Sequence, residues 1–324
     1  MSKKLAHAIV SDYLHISKEL GRPPSQEYYL QHGIYSKRNI DSAFGGWTQL
    51  IQAAGYQIPA KRLDEQEIRK QTHLHLIKEI DERKKLNIPL VSNRTLIISD
   101  MHIPVQHQDA IDFIIALNRE FKPDLVCSVG DEIDLGAFSY HEKEPGLPSA
   151  GHELELAIRT LQPIYKEFPR MIIAESNHGS LIWRKAKTAG LPSRVIKSYR
   201  DVIEAPIGWE WRFEIQVQDY TGDKFIIHHS YGSNALLAAQ RRGVSTITGH
   251  CHTQQSISYW QNLDKTYFAA VTGCLVDEMS LAMSYGKNNV GRPLLGCCVV
   301  ENGQPKIVRM ILDKFGRWVG KIFL

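Results

Sequence analysis

The sequence predicts an α/β domain preceded by a small all-α domain, and three observations support this fold class. Short apolar runs alternate with helix-favouring segments over most of the chain, the pattern of strands and helices in α/β proteins. Polar side chains follow several of these apolar runs directly. The first sixty residues show only helical periodicity, broken by Gly and Pro.

The composition excludes several classes of protein. The chain has 324 residues, of which 43% are hydrophobic and 23% charged, so it can bury a core in about two domains and is not disordered, collagen-like or a coiled coil. Its longest apolar stretches, such as 267–276, are too short to span a membrane. No apolar signal segment follows the N-terminus, so we expect a cytoplasmic protein whose five cysteines are reduced.

The N-terminal domain, residues 1–60, is predicted to contain four short helices. The first helix has apolar residues at helical spacing, namely Leu5, Ile9, Tyr13, Ile16 and Leu20. Ser25 and Ser36 are placed to cap the second and third helices, and Gly55 closes a fourth, Thr48–Ala54. These stops and caps predict a compact helical module.

Charge is distributed unevenly along the chain. The first 94 residues contain 15 Lys and Arg against 10 Asp and Glu, whereas the remainder contains 24 against 25. Within the basic part, Arg62–Leu86 is highly charged and helix-favouring, which predicts a connecting helix in the segment 61–90. The α/β domain is then expected over residues 91–324.

A β-α-β unit opens the α/β domain. The apolar run Thr95–Ile98 predicts a buried strand, Ala110–Leu117 a helix and Leu125–Val129 a second strand. Further strands are predicted at Met171–Ala174, Phe213–Val217, Phe225–Ile227, Ser245–Thr248, Tyr267–Val271 and Cys297–Val300.

Residues that can bind metal ions follow five of the predicted strands. In chain order these are Asp100 and His102, Asp131 and Asp134, Asn177 and His178, His228 and His229, and His250 and His252. Strand ends along one edge of a sheet are where α/β folds place their ligands, so the five blocks can converge on one site. Mixed carboxylate, imidazole and amide ligands suit Mn, Fe or Zn, and seven ligands exceed what one tetrahedral zinc ion uses.

Over about Thr95–Val300 the chain resembles the calcineurin-like metallophosphoesterase superfamily, whose pattern is Asp-x-His, Gly-Asp-x-x-Asp, Gly-Asn-His-Asp/Glu, a lone His and Gly-His-x-His. The resemblance implies a two-sheet αββα sandwich. It also implies that Asp100, His102 and His252 hold one metal ion, that Asn177, the lone His and His250 hold a second, and that Asp131 bridges them. The lone His is His229 by its small neighbour Ser230, with His228 as the alternative.

The resemblance further implies a two-metal mechanism, in which the ions bind phosphate oxygens and activate a bridging water for attack. His178 would protonate the leaving oxygen or stabilise the charge of the transition state, and Asp134 would orient His178. One block departs from the family pattern, because Ser176 replaces its leading glycine and Gly179 stands where a carboxylate is usual.

Two segments point to nucleic acid. Between Gly179 and Trp211, basic residues that include Arg184 and Lys185 alternate with aromatic residues, as in proteins that bind single strands. The alternative is a solvated helix whose aromatic residues belong to the core.

The second segment is the N-terminal domain. Its sequences Glu19–Ser25, Ala43–Trp47 and Ala53–Gly55 resemble the helical repeat associated with homing endonucleases. The resemblance implies DNA binding through the helix that carries Lys37, Arg38 and Asn39. The alternative is a dimerisation or docking domain.

These inferences predict a hydrolase, a metal-dependent phosphodiesterase or nuclease that cleaves DNA with two divalent metal ions. Manganese is the expected metal, with Fe, Zn or Mg as alternatives. Two other functions remain open: a nucleotide or phosphoprotein phosphatase, and a catalytically inactive DNA-binding protein.

Overall fold

The computed structural model describes residues 3–56, 89–139, 146–230, 232, 234–277 and 291–323. The chain divides into two compact units, Met1–Glu82 and Arg83–Leu324. The predicted connecting helix at 61–90 lies almost wholly outside the described residues. Every described helix is too short or too polar to cross a bilayer.

The first unit contains the four predicted helices. They are α1 (Lys3–Leu20), α2 (Gln26–His32), α3 (Lys37–Phe44) and α4 (Trp47–Ala53). The Ser25 hydroxyl caps α2 by accepting a hydrogen bond from the Tyr28 amide, as the sequence indicated. The helices pack around Ile9, Tyr13 and Trp47, which are almost completely buried.

Helix α3 begins with a capping box. The Ser36 hydroxyl accepts from the Asn39 amide, and Asn39 Oδ1 accepts in return from the Ser36 amide at 3.1 Å. The Asn39 side chain therefore stabilises the first turn of the helix, a role that the sequence pattern did not predict. Lys37 and Arg38, in the same first turn, are exposed.

Twelve strands and five helices make up the described part of the second unit, with two short 3₁₀ helices at Gly136–Phe138 and Ser193–Val195. The helices are α5 (Ala110–Phe121), α6 (Ala150–Glu167), α7 (Leu181–Thr188), α8 (Tyr199–Val202) and α9 (Ala235–Arg242). The strands are β1 (Leu90–Val91), β2 (Arg94–Ile98), β3 (Leu125–Ser128), β4 (Arg170–Ala174), β5 (Gly208–Arg212), β6 (Ile215–Gln218), β7 (Lys224–His228), β8 (Ser245–Thr248), β9 (Ser256–Gln261), β10 (Thr266–Val271), β11 (Gly296–Glu301) and β12 (Gln304–Arg309).

The strands form two mixed six-stranded sheets. One has the order β12-β11-β2-β3-β4-β5 and the other β1-β6-β7-β8-β10-β9. Strands β2, β3, β4 and β5 run parallel, and so do β7, β8 and β10. The carboxyl ends within each parallel group therefore lie at one edge of its sheet.

Alternation along the central strands produces the four layers. On β2, Leu96 and Ile98 pack with Phe113 of α5 and Leu161 of α6 on the outer face of the first sheet. Ile97, between them, points to the second sheet and belongs to the core between the sheets. Helix α9 covers the outer face of the second sheet. The expected αββα sandwich with its small N-terminal helical region is confirmed.

Some strands differ from the sequence prediction. The run Phe213–Val217 was expected to be one strand, but β5 ends at Arg212 and β6 begins at Ile215. Strands β5, β9 and β12 were not predicted, because they are edge strands and carry polar residues that weaken the apolar signal.

Candidate metal centre

The candidate metal-binding side chains come together at the carboxyl ends of three parallel strands of the first sheet and two parallel strands of the second. Asp100 and His102 follow β2, Asp131 follows β3, Asn177 and His178 follow β4, His229 follows β7, and His250 and His252 follow β8. Two hydrogen bonds join the two sheets at this point. The His250 amide donates to Asp100 Oδ2 at 2.6 Å, and His229 Nδ1 lies 2.9 Å from the Val129 carbonyl oxygen.

Asp131 lies at the centre of the cluster. Its Oδ2 atom is 3.2 Å from His229 Nε2 and 3.4 Å from His102 Nε2, so one carboxylate oxygen sits between imidazoles from different sheets. Its Oδ1 atom accepts a hydrogen bond from the His178 amide at 3.0 Å. The side chain is almost completely buried, so this carboxylate faces the other site residues rather than solvent.

The first predicted ligand group surrounds Asp100. His252 Nε2 lies 3.6 Å from Asp100 Oδ2, and the His252 and His102 rings are 4.8 Å apart. His178 adds a contact that the sequence did not suggest, because its ring is 4.5 Å from that of His102. One ligand atom each from His102, Asp131 and His178 lie within 4.8 Å of one another.

The second predicted group contains His229 rather than His228. His229 Nε2 lies 2.6 Å from Asn177 Oδ1, and one ligand atom each from Asp131, His229 and His250 lie within 4.8 Å of one another. The His228 ring instead contacts Phe213, at 5.3 Å between centroids. Adjacent residues at the end of a strand point to opposite faces, and only His229 faces the cluster.

Buried polar atoms without a hydrogen-bond partner indicate whether a metal ion fits the candidate site. Asp100 Oδ1 and His102 Nε2 are buried and have no hydrogen-bond partner among the residues that the structure describes. Buried polar atoms are normally paired, so these two are oriented for a ligand of another kind. Because His229 Nδ1 donates to a carbonyl, its other ring nitrogen, Nε2, is directed at the oxygens of Asn177 and Asp131. Carboxylate, imidazole and amide donors in this arrangement fit a divalent cation.

The pKa values describe a site with concentrated negative charge. Burial raises the pKa of Asp100 to about 7. Burial would lower the pKa of His102 and of His229, but nearby carboxylates outweigh it and raise the two values to about 10 and about 9; Asp131 acts on both, together with Asp134 on His102 and Asp100 on His229. Burial lowers the pKa of His252 to about 3, which leaves a neutral imidazole. The His102 and His229 imidazoles are therefore protonated at neutral pH, and a metal ion bound by them would have to displace these protons.

His178 and Asp134 are close together, but their contact differs from the predicted one. His178 Nδ1 is hydrogen-bonded to the backbone carbonyl of Asp134, whereas the Asp134 carboxylate lies 3.7 Å away. That carboxylate instead pairs with His102 Nδ1 at 2.7 Å. Asp134 therefore contacts both imidazoles, one through its backbone and the other through its side chain.

The backbone is strained at three of the candidate ligands. His102, Asp131 and His250 have φ angles of 50°, 51° and 66°, in the left-handed region that non-glycine residues rarely adopt. Gly249, the glycine of the Gly-His-x-His block, is required for a steric reason. A Cβ atom at Gly249 would lie 2.5 Å from Val129 and 2.6 Å from Asp100 Oδ1. Only glycine lets the two strand ends approach this closely.

Two supporting residues were missed by sequence reasoning. The Ser176 hydroxyl accepts hydrogen bonds from the amides of Asp131 at 3.0 Å and Gly179 at 3.2 Å. Glu132 is buried beside Asp131, where it accepts from Trp211 Nε1 at 2.7 Å, and burial raises its pKa. The departure from the family pattern at Ser176 was a sequence signal for the role of that residue. No sequence signal indicated the role of Glu132.

The aromatic residues between Gly179 and Trp211 divide into two groups. Trp209 is buried and Trp211 hydrogen-bonds Glu132, with Tyr199 packed edge-on to Trp211. Trp183 is 50% exposed on α7, the helix that also carries Arg184 and Lys185. The core interpretation is thus correct for most of these rings, and contact of Arg184 and Lys185 with nucleic acid remains a prediction.

Residues 9–57 match the family model of the homing endonuclease associated repeat, which confirms the resemblance seen in the N-terminal sequence. A search of curated proteins finds no match.

Solved structures are similar at low sequence identity. Vps29 of Chaetomium thermophilum has a TM-score of 0.37 and 10% identity over 71% of this chain and 94% of that chain. Vacuolar Protein Sorting 29 of Cryptosporidium parvum has a TM-score of 0.36 and 12% identity over 72% and 95% of the two chains. The nuclease MPE of Pseudomonas putida has a TM-score of 0.28 and 11% identity over 66% and 86%.

Proposed function

We propose that the α/β domain, residues 91–324, hydrolyses phosphodiester bonds in DNA with two divalent metal ions, and that the N-terminal domain binds the DNA. The observation that carries this proposal is the position of Asp131, whose buried carboxylate lies within 3.4 Å of imidazole nitrogens from two different sheets. A carboxylate placed between two imidazole groups is suited to bridging two cations.

The ligand sets follow from the same cluster. In this proposal Asp100, His102 and His252 hold one ion, and Asn177, His229 and His250 hold the other. Asp131 is shared between them. When bound, such a pair supplies Lewis-acid activation of the phosphate and of a water molecule. The mixed oxygen and nitrogen donors favour manganese, with Fe, Zn and Mg as alternatives.

His178 is the proposed general acid. Its Nδ1 atom is fixed by the Asp134 carbonyl, which directs Nε2 away from that loop. Its amide donates to Asp131 Oδ1, so the backbone that carries the acid is tied to the central carboxylate. Its side chain is 22% exposed, which leaves the ring accessible to a leaving oxygen.

DNA is the proposed substrate for two reasons. The N-terminal helices match a repeat associated with homing endonucleases, and the exposed Lys37 and Arg38 at the start of α3 can meet phosphates. In the α/β domain, α7 starts directly after His178 and carries Arg184 and Lys185. Basic side chains next to the site would neutralise the phosphates that flank the cleaved bond.

The test uses the full chain with saturating manganese, a labelled oligonucleotide and a small phosphodiester. We expect Asp131→Asn to abolish hydrolysis, because it removes the shared charge. We expect His178→Ala to lower kcat about 10²- to 10⁴-fold, the contribution of a general acid. His152→Ala is the matched control for the second variant, because His152 is exposed at the start of α6.

Hydrolysis by Asp131→Asn at the wild-type rate would contradict the proposal. A preference for phosphomonoesters over both diesters would select the nucleotide or phosphoprotein phosphatase. Failure of the wild type to bind manganese, measured by metal analysis, would select the inactive DNA-binding protein.

A further inference from the structure

We propose that Trp183, Lys187 and Phe213 form a stacking face for unpaired bases, which makes single-stranded DNA the preferred substrate of the candidate metal centre. This inference rests on the proposed phosphodiesterase function and specifies the substrate class of the same site. It concerns residues outside the metal-binding cluster.

Helix α7 brings Trp183 near the cluster. The helix begins three residues after His178, and the Leu181 amide donates to the His178 carbonyl at 2.9 Å. The first turn of α7 is therefore hydrogen-bonded to the residue proposed as the general acid. Trp183 is the third residue of α7 and belongs to that turn.

The two faces of α7 have different chemistry. Leu181 and Ala186 are buried against the domain, whereas Trp183 is 50% exposed and Lys187 is also exposed. Residues four apart lie on the same side of a helix, so the Trp183 ring and the Lys187 ammonium group are neighbours on the solvent face. This pair offers a ring for a base next to a cation for its phosphate.

Phe213 lies at the same edge of the sheet. Strand β5 runs parallel to β4, and the Glu175 amide donates to the Arg212 carbonyl at 2.8 Å, so Phe213 follows the strand end next to Asn177. Its ring is 50% exposed and packs edge-on to His228, which immediately precedes His229. Both exposed rings therefore lie in segments that are hydrogen-bonded to the loop after β4.

Exposed rings at this edge favour unpaired bases over a duplex. In a duplex the faces of the bases are stacked on one another, and only their edges are accessible to protein side chains. In a single strand the faces can stack on aromatic side chains without regard to sequence. The tryptophan and tyrosine rings deeper in this segment, such as Trp209, are packed in the core and cannot serve this purpose.

The experiment measures kcat and KM of the manganese-loaded full chain on a single-stranded oligonucleotide, its duplex and a small phosphodiester without aromatic groups. We expect Trp183→Ala and Trp183→Leu to raise KM for the single strand about tenfold, the size of one lost base stack. Trp183→Phe should retain most of the affinity, because it keeps an aromatic face. All three should keep wild-type kcat and KM for the small diester, which has no base.

Tyr220→Ala is the matched control. Tyr220 is 72% exposed, and its amide donates to Asn93 Oδ1, just before the start of β2 and thus at the edge of the sandwich opposite Asp100. We expect this variant to behave as the wild type. Phe213→Ala should reproduce the effect of Trp183→Ala in the same assay.

The outcomes separate the two proposals. Hydrolysis of the small diester with an unchanged single-strand KM in Trp183→Leu and Trp183→Ala would overturn the stacking face and leave the proposed function intact. A wild-type KM lower for the duplex than for the single strand would also overturn it. Absence of hydrolysis of all three substrates by the wild type would overturn the proposed function itself.

Discussion

Ser176 shows how one departure from a family pattern can be compensated locally. Its hydroxyl accepts hydrogen bonds from the amides of Asp131 and Gly179, and Asp131 has the left-handed φ of 51°. A glycine at position 176 could not make these bonds. The serine therefore fixes a strained residue and the loop that carries His178, where the usual carboxylate after the histidine is missing.

We predict that Ser176→Ala weakens manganese binding about 10- to 100-fold, as expected when a residue that orients a metal ligand is lost. Two amide donors lose their acceptor, which costs about 1–3 kcal/mol of folding stability for each group left unpaired. Calorimetric titration measures the affinity, and thermal unfolding measures the stability.

Ser149→Ala is the control for this prediction. Ser149 caps α6 by accepting from the His152 amide, so its loss should lower stability by about 1 kcal/mol and leave metal affinity unchanged. Equal manganese affinity of Ser176→Ala and wild type would show that Ser176 has only a structural role.

At the scale of an element, helix α3 carries a capping residue and two exposed basic residues within one turn. Asn39 completes the capping box with Ser36, whereas Lys37 and Arg38 are exposed. The resemblance to the homing endonuclease repeat implied that the helix with all three residues faces the DNA. The structure ties the Asn39 oxygen to the helix start, so the two basic residues are the better candidates for phosphate contacts.

We predict that Lys37→Ala combined with Arg38→Ala weakens DNA binding by the full chain and lowers the slope of log K against log salt by about 2, one for each lost phosphate contact. Fluorescence anisotropy at several salt concentrations measures this slope. Asn39→Gln, which keeps a capping-box side chain and the net charge, should bind with the wild-type slope. An unchanged slope in the double variant would remove α3 from the DNA interface.

At the scale of the whole domain, a segment near the C-terminus is hydrogen-bonded to the loop that begins with Asp100 and His102. Arg317 Nε and Nη2 donate to the two carboxylate oxygens of Asp109 at 2.9 and 2.5 Å, and the Trp318 amide donates to the same carboxylate. These hydrogen bonds to Arg317 lower the pKa of Asp109 from its ordinary value of 3.8 to about 2. His107 completes the contact through the Gly316 carbonyl, at 3.0 Å.

We predict a pH dependence from this contact. A carboxyl group whose pKa is depressed by folding adds stability above its ordinary pKa, and this stability is lost as pH falls from about 4 to about 2. Asp109→Asn should therefore lower Tm by a few degrees at neutral pH and flatten the decline in Tm over that range. Thermal unfolding across pH measures both effects.

Asp264→Asn, in an exposed turn, is the control and should leave the pH profile of Tm unchanged. An Asp109→Asn profile identical to that of the wild type would show that the contact does not contribute to stability.

The sequence by itself determined the helices, most of the strands and the candidate residues of the site. Helical periodicity, serine caps and apolar strands are local signals, and polar blocks after parallel strands lie at the carboxyl edge of their sheet. The tertiary structure decided what local signals cannot encode. It placed His229 rather than His228 beside Asn177, paired the Asp134 carboxylate with His102, and joined Asp109 to Arg317. These contacts depend on the direction of side chains and on packing between segments far apart in the chain, neither of which is written in spacing or composition.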